Sequence, residues 1–553
     1  MTLTVLDIER WNAGDVREVF HAASSRAQAA RDAADGLATL PAFETWGGQA
    51  AEAAKEAIGQ TRRDLDAAGN EALAVANAAR SAADEIERIK SELASLKADA
   101  SALGMEIDPV SGTVLPGPKI RNPMEAELKQ MQLQPRLDKI VAEANTVDMA
   151  LANAINMAGG KAPIPATPHD NRPEIREALN KPLPDDPKAF NDLWTKLTPE
   201  EKDWLYSRDR NIGNHPGMPW AGDHSNPGKD YYNRLHLPEL QQNVQAQVDQ
   251  LARDHPGWAA GQVPNPKGNL GVYRQWQDWK GKWDSANHTL DGYKSVSSTL
   301  SSNDGIPRYL GLIDDQGHAA MSIGNPDTAT HTATLVPGTG QDLAAFQGAT
   351  NKSAAMYESA LASDRSLNGH LAVTTWMGYD RPMDLGQAAD DVYARGGAGA
   401  LDSFMAGNQA SHVGAPSLDT VVGHSYGSTL VGAAGADGHH LAAESVIAVG
   451  SPGMLVGNAS DLSLDPGGHV YAARAQHDII HLVSGAALGP NPTWDGFGAI
   501  EIAAAPGPAT GPEILNLPSV AAHSSYWDLG NPALRNMGAI IAGQPPPQIV
   551  PNG

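Results

Sequence analysis

The sequence predicts an α/β fold, a mostly parallel sheet with helices on both faces, preceded by an α-helical bundle. Three observations lead there. From Tyr309 onward, short apolar strands alternate with helical stretches. The run Val421-Val422 enters Gly423-His424-Ser425-Tyr426-Gly427, and a helical stretch from Ser428 to Ala434 follows it. Residues 1 to about 105 are rich in alanine and hold a single proline, Pro41, which favours helix.

Bulk composition narrows the function classes. A chain of 553 residues predicts roughly two to four domains, each able to bury a core. A net charge of -24 argues against nucleic acid and anionic membrane surfaces as partners. With no cysteine in the sequence, disulfides, thiol catalysis and thiolate-bound metal are excluded. The stretch Met1 to Arg10 lacks a basic segment followed by an apolar core, and no apolar run reaches the length of a membrane span. The expectation is a cytoplasmic protein, or one exported without a signal peptide.

In the N-terminal part, Val16, Val19, Phe20 and Ala23 fall at helical spacing, and Ile86, Ile89, Leu93, Leu96 and Leu103 follow the rhythm of a helix–helix seam. Phe43-Glu44-Thr45-Trp46-Gly47-Gly48 separates the two stretches, an aromatic beside glycines that suits the turn of a helical hairpin. Asp108 to Val114 reads as a short hairpin. Asn122 and Pro123 then open a third helix that Pro135 should kink or split. The prolines from Pro163 to Pro187 predict a semi-extended linker. Thr198-Pro199-Glu200-Glu201 is a helix start with a capping box. His215, His224 and His236 fit no zinc spacing and read as loop or surface histidines. The resulting boundaries are a helical bundle at 1–157, a linker at 158–187, a helical lead-in or cap at 188–307, a catalytic domain at 308–540 and a disordered tail at 541–553.

In the α/β region, strands are expected at 309–313, 319–323, 332–336, 371–376, 420–422, 445–449, 469–473 and 499–504, with helices at 341–362, 386–406 and 428–436. Strand, sharp turn and helix around Ser425 have the layout of a nucleophile elbow. Such a serine needs a base, and the base needs an orienting acid. With the order serine, acid, histidine, the histidines beyond residue 477 are His481 and His523, and His481 shares a turn with the best acid. His523 is therefore the expected base. Asp478 follows the strand 469–473, the strand end where open α/β sheets gather their functional groups, and is the expected acid, with Asp495 second. Val336-Pro337-Gly338-Thr339-Gly340 ends a buried strand in a small-residue loop. The amide of Thr339 or of Gly340, together with that of Tyr426, would form an oxyanion hole.

Two resemblances follow from these residues. The hairpin, through Trp46, Gly47 and Gly48, resembles the Trp-x-Gly helical hairpins associated with type VII secretion. That family's Tyr-then-acid signal is not matched, since the first tyrosine is Tyr206. Residues from about 190 to 540 resemble an actinobacterial α/β-hydrolase family, formerly a domain of unknown function. The resemblance rests on Leu197 to Glu201, Ile212-Gly213-Asn214, Gly217-Met218-Pro219, Val336 to Gly340, Gly378-Tyr379-Asp380, Gly423 to Ser428, Ser451-Pro452-Gly453 and His523 to Tyr526. It implies Ser425, Asp478 and His523 as a triad, in agreement with the reading from the residues. The expected function is a serine hydrolase of carboxylic esters, lipid or acyl esters among them, with no cofactor. The alternative is a partner-binding or secretion-linked protein whose helical bundle does the work and whose hydrolase domain is a scaffold.

Overall fold

A computed structural model describes residues 3–38, 49–118, 120–158, 172–223, 225–302, 304–482, 487–510 and 517–550. The chain divides into two compact units, one of residues 1–181 with 203–207 and one of 182–202 with 208–553.

The first unit is built from α1 (Val5–Arg10), α2 (Ala13–Ala38), α3 (Gln49–Ala102) and α4 (Pro123–Ala158), with a two-stranded hairpin of β1 (Met105–Asp108) and β2 (Thr113–Pro116). Small side chains let α2 and α3 approach closely: Ala27, Ala34, Ala76, Ala79 and Ala83 are all buried, and Phe20 packs on Ala76 and Ala79. Of the residues at helical spacing, Phe20 is buried, while Val19 points outward at 44% exposure. Ile89, Leu93 and Leu96 meet Leu133, Leu137 and Ile140 of α4. Pro135 lies inside α4 without splitting it. Proline removes the helical hydrogen bond to the carbonyl one turn back, that of Met131, which is an exposed residue. The turn at 43–48 lies outside the described residues.

The proline-rich stretch is in part helical. Its first half, 159–171, lies outside the described residues, but Pro173 and Pro187 each open a helix, α5 (Pro173–Leu179) and α6 (Pro187–Trp194), because proline suits a position whose N–H has no helical acceptor. The capping box of α7 (Pro199–Arg208) forms as expected: Thr198 N donates to Glu201 Oε2 at 2.8 Å and Glu201 N to Thr198 Oγ1 at 3.3 Å.

The second unit holds two long helices, α8 (Lys229–Asp254) and α9 (Leu270–Leu300), and the sheet. Its strands are β3 (Arg308–Ile313), β4 (Ala319–Ile323), β5 (His331–Val336), β6 (Leu371–Met377), β7 (Leu418–His424), β8 (Ser445–Val449), β9 (His469–Ala473) and β10 (Ile500–Glu501). Their spatial order is β10-β9-β8-β7-β5-β6-β4-β3, parallel from β10 to β6, with β4 and β3 antiparallel. Successive residues of the central strands enter opposite cores. Val421, Val446 and Ala448 join one cluster with α11 (Val392–Ser411) and α12 (Tyr426–Ala434). Val422, Ile447 and Val449 join another with α10 (Phe346–Ser363) and α14 (Pro532–Ile541). Burial on both faces is the signature of a covered parallel sheet.

The chain leaves β5 for β6 on one side and returns to β7 on the other, so β5 and β7 are neighbours whose following segments diverge. This is the switch point where open α/β sheets carry their sites. The C-terminal tail is not free up to residue 550. Asn536, fully buried on α14, accepts from Gln548 N at 3.0 Å and donates to Gln548 O at 2.9 Å, while Val550 N donates to Glu501 O at 2.9 Å. That pairing also shortens the expected last strand, since Ala503 N turns to Gln548 O.

Candidate active site

The site begins at the end of β7. Ser425 has φ 56° and ψ -132°, a conformation that costs a non-glycine residue about 1–3 kcal/mol. It is held there by Ser425 N donating to Val449 O at 2.9 Å and by Ser428 N donating to Ser425 O at 2.9 Å. The flanking glycines are required by space. A β-carbon on Gly423 would lie 2.5 Å from Ser428 Cα, and one on Gly427 would lie 2.0 Å from Val336 O.

The expected acid and base meet. His523 Nδ1 lies 2.7 Å from Asp478 Oδ1 and 2.9 Å from Oδ2. Asp478 is fully buried, beyond the end of β9, and its Oδ1 also receives Ile480 N–H at 2.8 Å. His523 sits on α13 (Val520–Ser524), which is capped by Ser519. One hydrogen bond ties it to the elbow. His424, the residue before Ser425, directs Nε2 to His523 O at 2.9 Å. Gly450, next to the Val449 carbonyl that holds Ser425 N, lies under the acid–base pair: a β-carbon there would be 2.9 Å from Asp478 Oδ2 and 3.1 Å from His523 Cε1. Among the described residues no hydrogen bond joins Ser425 Oγ to His523 Nε2; in unliganded sites such bonds are often long and tighten only with substrate.

Burial holds the His424 ring well below the usual histidine range, with Lys352 and His523 adding to the effect. His424 is therefore neutral near pH 7 and uses its one proton on the His523 carbonyl. Lys352 rests over the Trp527 ring at 4.6 Å, and its burial brings it down to about 8.

The loop after β5 abuts the elbow: a β-carbon on Gly338 would lie 2.8 Å from Tyr426 N. Gly340 N donates to Pro382 O at 2.9 Å, which removes it from the expected oxyanion hole. The amides of Thr339 and Tyr426 remain, the latter at the first position of α12, where no carbonyl one turn back can bind it. Asp495 is exposed in a turn and is not joined to His523. Of the histidines read as loop or surface residues, His215 lies in a loop but is packed, and His236 is buried on a helix. His236 is 7% exposed, and His215 stacks on Phe190 with ring centroids 3.5 Å apart; His224 lies outside the described residues. Sequence reading did not reach the Tyr526 hydroxyl, which donates to Asp478 Oδ2. The signal was its place one helical turn beyond His523.

Comparison with known proteins agrees with this architecture. The family described as Alpha/beta hydrolase matches residues 314–490. The fold is that of the α/β hydrolases. A second family, described as Uncharacterised protein Rv0964c, matches residues 41–186. Uncharacterized protein Rv2079 of Mycobacterium tuberculosis is 31% identical over 387 residues, which are 63% of this chain and 54% of that protein. Uncharacterized protein Mb0988c of Mycobacterium bovis is 28% identical over 206 residues, 35% of this chain and 76% of that one. The chain thus spans about half the length of the first of these relatives. Among solved structures, a hyperthermophilic esterase from the archaeon Pyrobaculum calidifontis shows a TM-score of 0.26 at 11% identity, over 55% of this chain and 97% of that one. A likeness of that size carries no weight here.

Proposed function

We propose that the chain is a serine hydrolase of carboxylic esters, with Ser425 as nucleophile, His523 as base and Asp478 as orienting acid. The observation that supports this most is the buried Asp478 carboxylate held against His523 Nδ1, on a helix tied to the residue beside Ser425. Nδ1 donates to the carboxylate, which leaves the Nε2 lone pair to serve as base. Ser425 Oγ adds to the ester carbonyl as its proton passes to Nε2. The resulting oxyanion is received by the Tyr426 and Thr339 amides. Collapse expels the alcohol, which leaves with the proton from His523, and an acyl-serine remains. Water then adds to the acyl carbon, gives its proton to Nε2, and the acid departs as that proton returns to Ser425.

Hydrolysis of p-nitrophenyl esters from acetate to palmitate tests the reading and ranks the acyl group. Turnover by the wild type that disappears in Ser425→Ala supports it. Equal turnover in the two proteins refutes it.

A further inference from the structure

We propose that Tyr526 is a positioning residue of this same site, its hydroxyl aiming the Asp478 carboxylate and sharing its charge so that His523 is held as a base. The inference rests on the serine-hydrolase reading for its catalytic meaning, and on the geometry alone for the contact itself.

His523 lies in the last turn of α13, and the chain continues through a 3-10 turn, Ser525–Trp527. Residues spaced by three share a helical face, so His523 and Tyr526 address the same carboxylate. Tyr526 is fully buried in the apolar cluster that contains Val422, Val449 and Ala473, which leaves its hydroxyl few options. That hydroxyl accepts from Ala475 N at 3.0 Å, and its proton goes to Asp478 Oδ2. The phenol thereby joins the end of β9 to the acid.

Asp478 has a particular need for such a donor. It is fully buried, and among the described residues its one ion-pair partner is His523, which is neutral while it serves as base. A buried carboxylate without a permanent cation relies on hydrogen bonds to its oxygens to spread its charge. Oδ1 has Ile480 N and His523; Oδ2 has Tyr526 and the shared His523 proton. The other ionisable groups near the pair are Arg474 after β9, His424 on β7 and Lys352 on α10. His424 is neutral, and His477 is already engaged with Gly507 O. Burial and the Asp478 charge hold the Tyr526 phenol well above the usual tyrosine range, so it remains a donor at every working pH.

Tyr526→Phe keeps the ring and removes the donor. Losing one hydrogen bond to a charged group should lower kcat about 10- to 100-fold, with KM nearly unchanged. The freed carboxylate then presents more charge to the imidazolium, so the acid limb of the kcat/KM profile moves to higher pH. The downfield proton NMR resonance of His523 Nδ1–H moves further downfield for the same reason. Replacing Tyr526 with 3-fluorotyrosine strengthens the donor and moves both readouts the opposite way, which keeps the test decisive if Tyr526→Phe does not fold. A tyrosine that only fills the core would lower stability and leave the pH limb and the resonance in place, and that result overturns the proposal. An inactive wild type would remove the hydrolase reading, while the resonance would still decide the Tyr526–Asp478 contact.

Discussion

His523 Nδ1 sits within hydrogen-bond reach of both oxygens of Asp478, at 2.7 and 2.9 Å, although 45 residues separate the two in sequence. The pair is assembled by the segment after the end of β9 and by α13, which follows β10 in sequence. A parallel bridge between Asp478 and Ser519, the cap of α13, fixes the approach.

Asp478→Asn should lower ester turnover by about 10⁴, because an amide stabilises the wrong imidazole tautomer. Asp495→Asn, in an exposed turn, should change it less than twofold. Steady-state kinetics of the two variants check this. A larger loss in Asp495→Asn would mean that the acid is misassigned.

Ser425→Gly separates function from stability. It removes the nucleophile, with a loss on the order of 10⁶ in turnover. It also relieves the positive φ of 56° and should therefore raise unfolding free energy by about 1 kcal/mol. Urea denaturation measures the second effect. A destabilised Ser425→Gly would show that the elbow is unstrained.

Gly450→Ala should act at the acid–base pair from beneath. Its φ is 57°, and the added carbon would meet Asp478 Oδ2 at 2.9 Å. Displacing the pair by a fraction of an ångström to 1 Å is expected to lower kcat by about 10². A Gly450→Ala enzyme with unchanged kcat would place the pair away from the chemistry.

Much of this arrangement is legible in the sequence because each step leaves few choices. Apolar strands recur from His331 to Ala473, and the helices that follow β5, β6 and β7 require parallel pairing. One histidine stands beyond the last strand, and one aspartate sits just past β9. What escaped depends on side chains or backbone groups that meet across long separations. The tail is ordered by Asn536, which no proline count reveals, and Gly340 is spent on Pro382 through a loop contact. His236 is buried on a helix whose inner face is not marked by apolar periodicity alone.

Acid should destabilise the second unit through its buried histidines. Burial, with Lys229 nearby, pulls His215 down to about 4 from the usual histidine value of about 6.5. Between those values the unfolded chain binds a proton that the folded ring refuses, so stability falls as pH drops through the window. His424, also held neutral, adds the same sign. Denaturation near pH 7 and pH 5 should show a smaller difference in His215→Gln than in the wild type, and an equal difference would contradict this reading.

The most direct measurement is covalent labelling with a fluorophosphonate, followed by peptide mass spectrometry. The expected result is one adduct, on Ser425, absent from Ser425→Ala and formed much more slowly in His523→Ala. An unlabelled wild type, or an adduct on another residue that persists in Ser425→Ala, would contradict the assignment of Ser425 as the nucleophile.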